Sequence, residues 1–171
     1  MIFPRCAEKR DFEAIMALIH RAQERIRLLG IDQWQDGYPE PELIAHDIEN
    51  KIGCVFEDDG KIAAYLVLLD TPEPVYDALD GTWLTSGAAY ATIHRMAIDD
   101  GHRGSGVAAD MLRKAVEMAK AENLASVRAD THRGNKAMRR VLEKNGFVDC
   151  GEVTYPVDAG DPIRVAYELV L

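Results

Sequence analysis

The sequence lacks an apolar run approaching the roughly 18 residues that a membrane-spanning helix needs, so no membrane role is expected. It has three cysteines, Cys6, Cys54 and Cys150, odd in number and far apart. No Cys-x-x-Cys or other zinc spacing accompanies them, and no metal is expected. Each reads as a buried free thiol, and the compartment as a reducing, cytoplasmic one. The opening "MIFPRCAEKRDFEAIM" has no apolar leader core, so no signal peptide is expected. Basic residues are outnumbered: 20 Lys and Arg face 29 Asp and Glu, a net charge of -9. That argues against nucleic-acid binding, which needs many cations on phosphates. Glycine and proline are too few for a disordered chain.

What is present fits one soluble domain over residues 1–171, with apolar residues at 47%. No repeat or low-complexity segment breaks it. Asp11 reads as the N-cap of a helix with Phe12, Ile15, Met16, Ile19, Ala22, Ile26 and Leu29 on one face, closed by Gly30. "GIDQWQDGYPEPE" reads as turns, with an exposed-looking Trp34 and Tyr38. A second helix is predicted over "PELIAHDIEN". "GCVFED" and "KIAAYLVLL" read as strands joined by an Asp-Asp-Gly hairpin turn. The second does not alternate and is expected to be covered on both faces. "DTPEPVYDALDGTWLTSG" is expected to be a loop of about 18 residues, unusual enough to suggest function. Further on, "YATIHRMAI", "ASVRAD", "FVDCGEV" and "RVAYELVL" read as strands. Helices follow the glycine turn at 104–106 and fill "NKAMRRVLEKN". The order predicts an α/β (α+β) fold, with a mixed sheet of six to seven strands and about four helices.

Between "YATIHRMAI" and the next helix stands "DDGHRGSGVAADML". A strand, a glycine turn and a helix start make an anion site. The first helical N–H groups lack intrahelical partners, and the helix dipole adds positive potential. Glycines let a phosphate approach the backbone, and Arg103 can fork onto its oxygens. No P-loop string is present. "GSGVAA" is a degenerate dinucleotide fingerprint, lacking a clear acidic partner unless Asp130 serves. A plain tight turn is the remaining reading from these residues.

"RGSGVA" also fills the pattern Q/R-x-x-G-x-G/A through Arg103, Gly106 and Ala108. "NKAMRRVLEKNGF", from Asn135 to Phe147, matches a second pattern, N-x-x-x-x-x-x-x-E-K-x-G-F. The pair, in this order, resembles the two coenzyme A signatures of the GNAT N-acetyltransferase superfamily. The likeness is sharpest over residues 90–150, and "GIDQWQDGYP" is similar to small bacterial-type members. The resemblance implies the GNAT fold and transfer of an acetyl group from acetyl-CoA to a primary amine.

Residue by residue, the resemblance implies that Met96, Ala97 and Ile98 offer backbone groups to the pantetheine arm. Arg103, Gly104, Ser105, Gly106, Val107 and Ala108 would hold the pyrophosphate. Asn135 and Lys136 would meet the cofactor from the second signature. His102 and Arg139 are further local cations on an acidic protein. Many members have a tyrosine where Leu142 stands, the acid that protonates the departing thiolate. Tyr155 is the nearest phenol that could replace it, and water is the alternative. A lysine-like amine has a pKa of about 10.4, so its deprotonation at pH 7 costs about 4.6 kcal/mol. His94 is the candidate base, with His132 second, and Asp130 is expected to orient a backbone or solvent group. Trp34 and Tyr38 would wall the acceptor pocket. Asp32, Asp36 and the acidic loop would favour a cationic acceptor.

The resemblance implies a small-molecule or peptide amine as acceptor, and a homodimer is an open expectation. Two other readings stand beside this one. A non-catalytic CoA-binding sensor would explain Leu142, and an NAD- or nucleotide-dependent enzyme would use the turn for its own phosphates.

Overall fold

The computed structural model describes residues 2–157 and 160–171. In chain order the elements are β1 (Phe3–Cys6), α1 (Phe12–Leu28), α2 (Pro41–Glu49), β2 (Gly53–Asp58), β3 (Lys61–Leu69), β4 (Asp80–Gly81) and β5 (Tyr90–Ile98). Then come α3 (Val107–Ala121), β6 (Ser126–His132), α4 (Lys136–Lys144), β7 (Val148–Thr154) and β8 (Ile163–Val170). The strand order is β1-β2-β3-β5-β6-β8-β7-β4, a mixed sheet of eight strands among the described residues, with four α-helices. The expected six to seven strands fall short by β4, which lies inside the stretch predicted as a plain loop. That stretch also holds a 3-10 turn at Pro74–Ala78.

Packing divides the chain into two compact units, Met1–Leu68 with His94–Met111, and Leu69–Ile93 with Leu112–Leu171. In the first, α1 buries Ile15, Met16, Ile19 and Ala22 of the predicted face, together with Leu18, which lies off it. Phe12 and Ile26 are half-buried, Leu29 is exposed, and Gly30 at φ 70° follows the helix end. Asp11 precedes α1 as predicted, but its side chain caps the 3-10 turn before the helix and makes no cap hydrogen bond to α1 itself. Its carboxylate takes Arg5 at 2.6 and 2.9 Å and the Glu8 N–H at 2.8 Å, and the guanidinium is the stronger partner. The β2–β3 hairpin turns at Asp59 and Gly60, both at positive φ, as a primed turn requires. Ala63 to Val67 are fully buried, so β3 is covered on both faces as its unbroken apolar run predicts. Cys54, Phe56, Ala64 and Leu66 pack with Val107 and Met111 at the start of α3. Cys6 is exposed, contrary to its expected burial, because its short strand shows most of its residues to solvent.

In the second unit β6 pairs antiparallel with β8 along its whole length, from Ser126↔Val170 to His132↔Arg164. On its other side β6 runs parallel to β5 over Tyr90–Thr92. β4 joins β7 through Gly81 opposite Gly151. A Cβ on Gly151 would stand 2.2 Å from the Asp80 carbonyl oxygen, so this crossing needs glycine. Glu168, fully buried on β8, organises the predicted loop. It accepts from the Leu84 N–H, Thr85 Oγ1 and Ser126 Oγ at 2.5 Å and from Arg128 Nε at 3.0 Å. Arg128 lies 4.0 Å from the centre of the Trp83 ring and 3.8 Å from that of Tyr90.

Candidate active site

The site is built on the end of β5, from His94 onward, and on the turn after it, within the first unit. α1 anchors the start of the turn. Arg21 Nη2 donates to Asp99 Oδ1 at 3.0 Å, Arg25 pairs with Asp100, and the Asp99 N–H reaches the Ala63 carbonyl at 2.8 Å. Asp99 Oδ2 then accepts the Gly101 N–H at 3.1 Å. Gly104 and Gly106 take φ of 77° and 97°, the region that favours glycine. A Cβ on either would enter open space, so the conformation and not crowding demands them. Helix α3 starts at Val107, whose side chain is 1% exposed and fixes the helix to the core.

Among the described residues, the N–H groups of Gly104, Gly106, Val107 and Ala108 make no hydrogen bond within the protein, whereas Ser105 N–H reaches the His102 carbonyl at 3.3 Å. Ser105 Oγ donates to the same carbonyl at 2.6 Å. Arg103 is exposed and forms no ion pair among the described residues. His102, expected as a local cation for phosphate, is committed elsewhere. Its Nε2 lies 3.2 Å from Asp58 and its Nδ1 3.5 Å from Asp99. Free N–H groups, open space and one unpaired guanidinium together fit a diphosphate.

Upstream on β5, His94 is half-buried. Burial, with the Arg95 charge beside it, lowers its pKa to about 4, so the imidazole is neutral at physiological pH. Arg95 has φ 53°, and it is the one non-glycine residue at positive φ inside a strand among the described residues. Such a conformation costs on the order of 1–3 kcal/mol and persists only where surroundings enforce it. Here Arg95 Nε and Nη2 each meet an Asp47 carboxylate oxygen at 2.8 Å. Its Nη1 donates to the Tyr38 hydroxyl at 3.0 Å, and Tyr65 Oη donates to Asp47 at 3.0 Å. Sequence reading missed this network. Trp34 and Tyr38 are both half-buried, Trp34 less exposed than its turn-rich setting suggests, with rings 6.2 Å apart at 61°.

A recess of about 660 Å³ in the same unit is lined by Arg5, Arg10, Arg21, Glu57 and His102, among others. Each of its guanidiniums is closed onto a carboxylate, unlike Arg103.

The remaining predicted residues lie in the second unit. Asn135 is the N-cap of α4, its Oδ1 accepting the Met138 N–H at 3.2 Å. Lys136 is exposed. Arg139, expected as a local cation, donates to the Tyr167 hydroxyl at 2.9 Å and faces Asp149 at 3.5 Å. Leu142 is fully buried, a packing residue with no polar group to offer. Tyr155 and Tyr76 both donate to Asp130 Oδ2 at 2.8 Å. Burial raises the Asp130 pKa above the ordinary carboxylate value, against the opposing pull of the two phenols and Arg164. His132 Nδ1 accepts the Gly134 N–H at 3.0 Å and its Nε2 lies 3.4 Å from Asp161, so it shapes the start of α4. No group of three or more His, Cys, Asp or Glu among the described residues is placed to hold a metal, and no helix there is long and apolar enough to cross a membrane.

An open mixed α/β sheet with unpaired N–H groups in a glycine turn between β5 and α3 defines an α/β protein with a candidate anion site. The acetyltransferase (GNAT) family model matches residues 13–147. A GNAT-family acetyltransferase from Streptococcus agalactiae 2603 is 36% identical, with a TM-score of 0.88 over 99% of this chain and 95% of that one. A GNAT-family acetyltransferase from Listeria monocytogenes 4b F2365 is 19% identical, with a TM-score of 0.75 over 99% and 95%. The ribosomal-protein-S18-alanine N-acetyltransferase from Escherichia coli is 16% identical, with a TM-score of 0.65 over 99% and 94%, a likeness of fold. No curated protein matches the chain. The chain belongs to the GNAT family of acetyltransferases, whose members take acetyl-CoA as co-substrate.

Proposed function

We propose that residues 1–171 act as one domain that moves the acetyl group of acetyl-CoA to a primary amine of a small molecule or peptide. The observation that carries this is the turn: four unpaired N–H groups, open space before two glycines, and exposed Arg103. Arg103 and residues 104–108 take the pyrophosphate, and Met96, Ala97 and Ile98 present backbone groups to the pantetheine arm and the thioester carbonyl. Asn135 and Lys136 contribute from the α4 start. Asn135 keeps its side-chain amide N–H groups for this role, its oxygen being spent on the cap.

The amine attacks the thioester carbonyl carbon directly, in a ternary complex. The C–N bond forms, the C–S bond breaks, and no enzyme nucleophile intervenes. His94, neutral at working pH, accepts the proton that the amine loses. Tyr155, held by Asp130, gives its proton to the thiolate and regains one from solvent. Trp34 and Tyr38 wall the acceptor, which is cationic before it reacts.

Thermal unfolding with acetyl-CoA, NAD and ATP in parallel tests the reading. A ligand at 100 times its Kd adds about 2.7 kcal/mol, a midpoint rise of roughly 5–10 °C for a chain of this size. A rise with acetyl-CoA alone is expected, followed by thiol release with a panel of amines. A rise with NAD or ATP instead overturns it. Tight acetyl-CoA binding without thiol release from any amine favours a CoA-binding module.

A further inference from the structure

The geometry points to Asp47 as a positioning residue for acetyl transfer, acting through Arg95 on the β5 kink and on the acceptor wall. This rests on the acetyl-transfer reading above. Arg95 stands between His94 and Met96, the proposed base and the first proposed carbonyl-facing backbone group. Its left-handed backbone therefore sets the direction in which both neighbours leave the strand. A long, non-glycine side chain has no reason of its own to adopt that conformation. What holds it is on another element: both oxygens of Asp47, on α2, at 2.8 Å.

The pair is sealed. Arg95 is 8% exposed, Asp47 and Tyr65 are fully buried, and Tyr65 fixes the carboxylate from β3. A buried ion pair is weak evidence for stability, because apolar residues of similar volume often serve as well. A bidentate fork fixes direction, which an apolar contact does not. The same guanidinium spends its third donor on the Tyr38 hydroxyl at 3.0 Å. Tyr38 in turn is tied to α1, where Gln23 Nε2 donates to its carbonyl at 2.9 Å. One carboxylate thus sets both the strand that carries the chemistry and the wall that receives the amine.

The test compares Asp47→Asn, Arg95→Lys and Tyr38→Phe with the wild-type chain. Acetyl-CoA sites are titrated by calorimetry, and rates are expressed per binding site, so loss of folded protein does not register. Asp47→Asn is expected to lower kcat at least tenfold while the acetyl-CoA Kd moves less than threefold. Arg95→Lys keeps the charge but loses the fork, and its kcat falls by a similar factor. Tyr38→Phe keeps kcat within twofold and raises the acceptor KM three- to tenfold. A wild-type kcat per site in both Asp47→Asn and Arg95→Lys overturns the inference. If Asp47→Asn yields no binding-competent protein, Arg95→Lys and Tyr38→Phe decide, and unchanged kcat and KM in those two overturn it equally. A wild-type chain that neither binds acetyl-CoA nor releases thiol is a different failure, that of the acetyl-transfer reading itself.

Discussion

Tyr155 donates its hydroxyl hydrogen to Oδ2 of Asp130 at 2.8 Å, and Tyr76 does the same to the same atom at the same distance. The two phenols differ in setting: Tyr76 is 2% exposed and Tyr155 is half-buried. That makes them a matched pair. Tyr155→Phe should lower kcat on the order of 100-fold, as loss of a general acid does. Tyr76→Phe should cost about 1–3 kcal/mol of stability and leave kcat per folded molecule within about twofold. Steady-state kinetics beside urea unfolding checks both. Equal, small effects on rate would remove Tyr155 from the mechanism.

Gly106→Ala separates conformation from ligand approach. The added methyl meets nothing within 4 Å in the protein, so its stability cost comes from φ alone, about 1–2 kcal/mol. The acetyl-CoA Kd should rise more than about tenfold, since the methyl enters the space that the pyrophosphate needs. Calorimetric titration reads this directly. An unchanged Kd would place the diphosphate elsewhere.

Arg103→Ala should be silent in stability, within about 0.5 kcal/mol, because the side chain is exposed and unpaired. Its acetyl-CoA affinity should fall roughly 5- to 30-fold, the scale of one charge-assisted contact. The wild-type affinity should also weaken more steeply with added salt than that of the variant. Parallel titrations at two salt concentrations are sufficient.

His94 gives a prediction in pH. Its pKa is about 4 in the folded chain against about 6.5 in an unfolded one, so the unfolded state takes the proton first as pH falls. Stability from this group is complete above about pH 6.5 and is lost as pH drops toward 4, by at most about 3 kcal/mol. His94→Gln should flatten that part of the curve in urea unfolding between pH 7 and 4.5. Its rate loss should be nearly constant from about pH 6 to 9, because the imidazole stays neutral throughout. A loss confined to the range around pH 6.5 would contradict the buried, low-pKa setting.

The parts of this site that follow from local chemistry are legible in the sequence. Gly104 and Gly106 announce a turn because only glycine adopts their φ cheaply. The burial of β3 on both faces is legible because an unbroken apolar run has no polar face to turn outward. Partnerships across the chain are not. Arg95 and Asp47 are 48 residues apart, and neither periodicity nor spacing joins them. Asp11 reads as a cap until Arg5 competes for its carboxylate. β4 is an Asp-Gly pair with no apolar pattern, and it exists because Gly81 and Gly151 let two backbones touch. Leu142 stands out in the sequence as a departure from the family pattern, but only its burial shows that it fills the core.

β4 also bears on how copies of this chain can meet. An open sheet invites another chain to add a strand wherever a long outer strand shows unpaired N–H and C=O groups. Here the outermost strands are β1, four residues with Pro4 and Arg5 in it, and β4, two residues long. Proline removes a donor, and two residues offer too short a template for a stable ladder. Each end of the sheet therefore carries an outer strand that is a poor template for adding another.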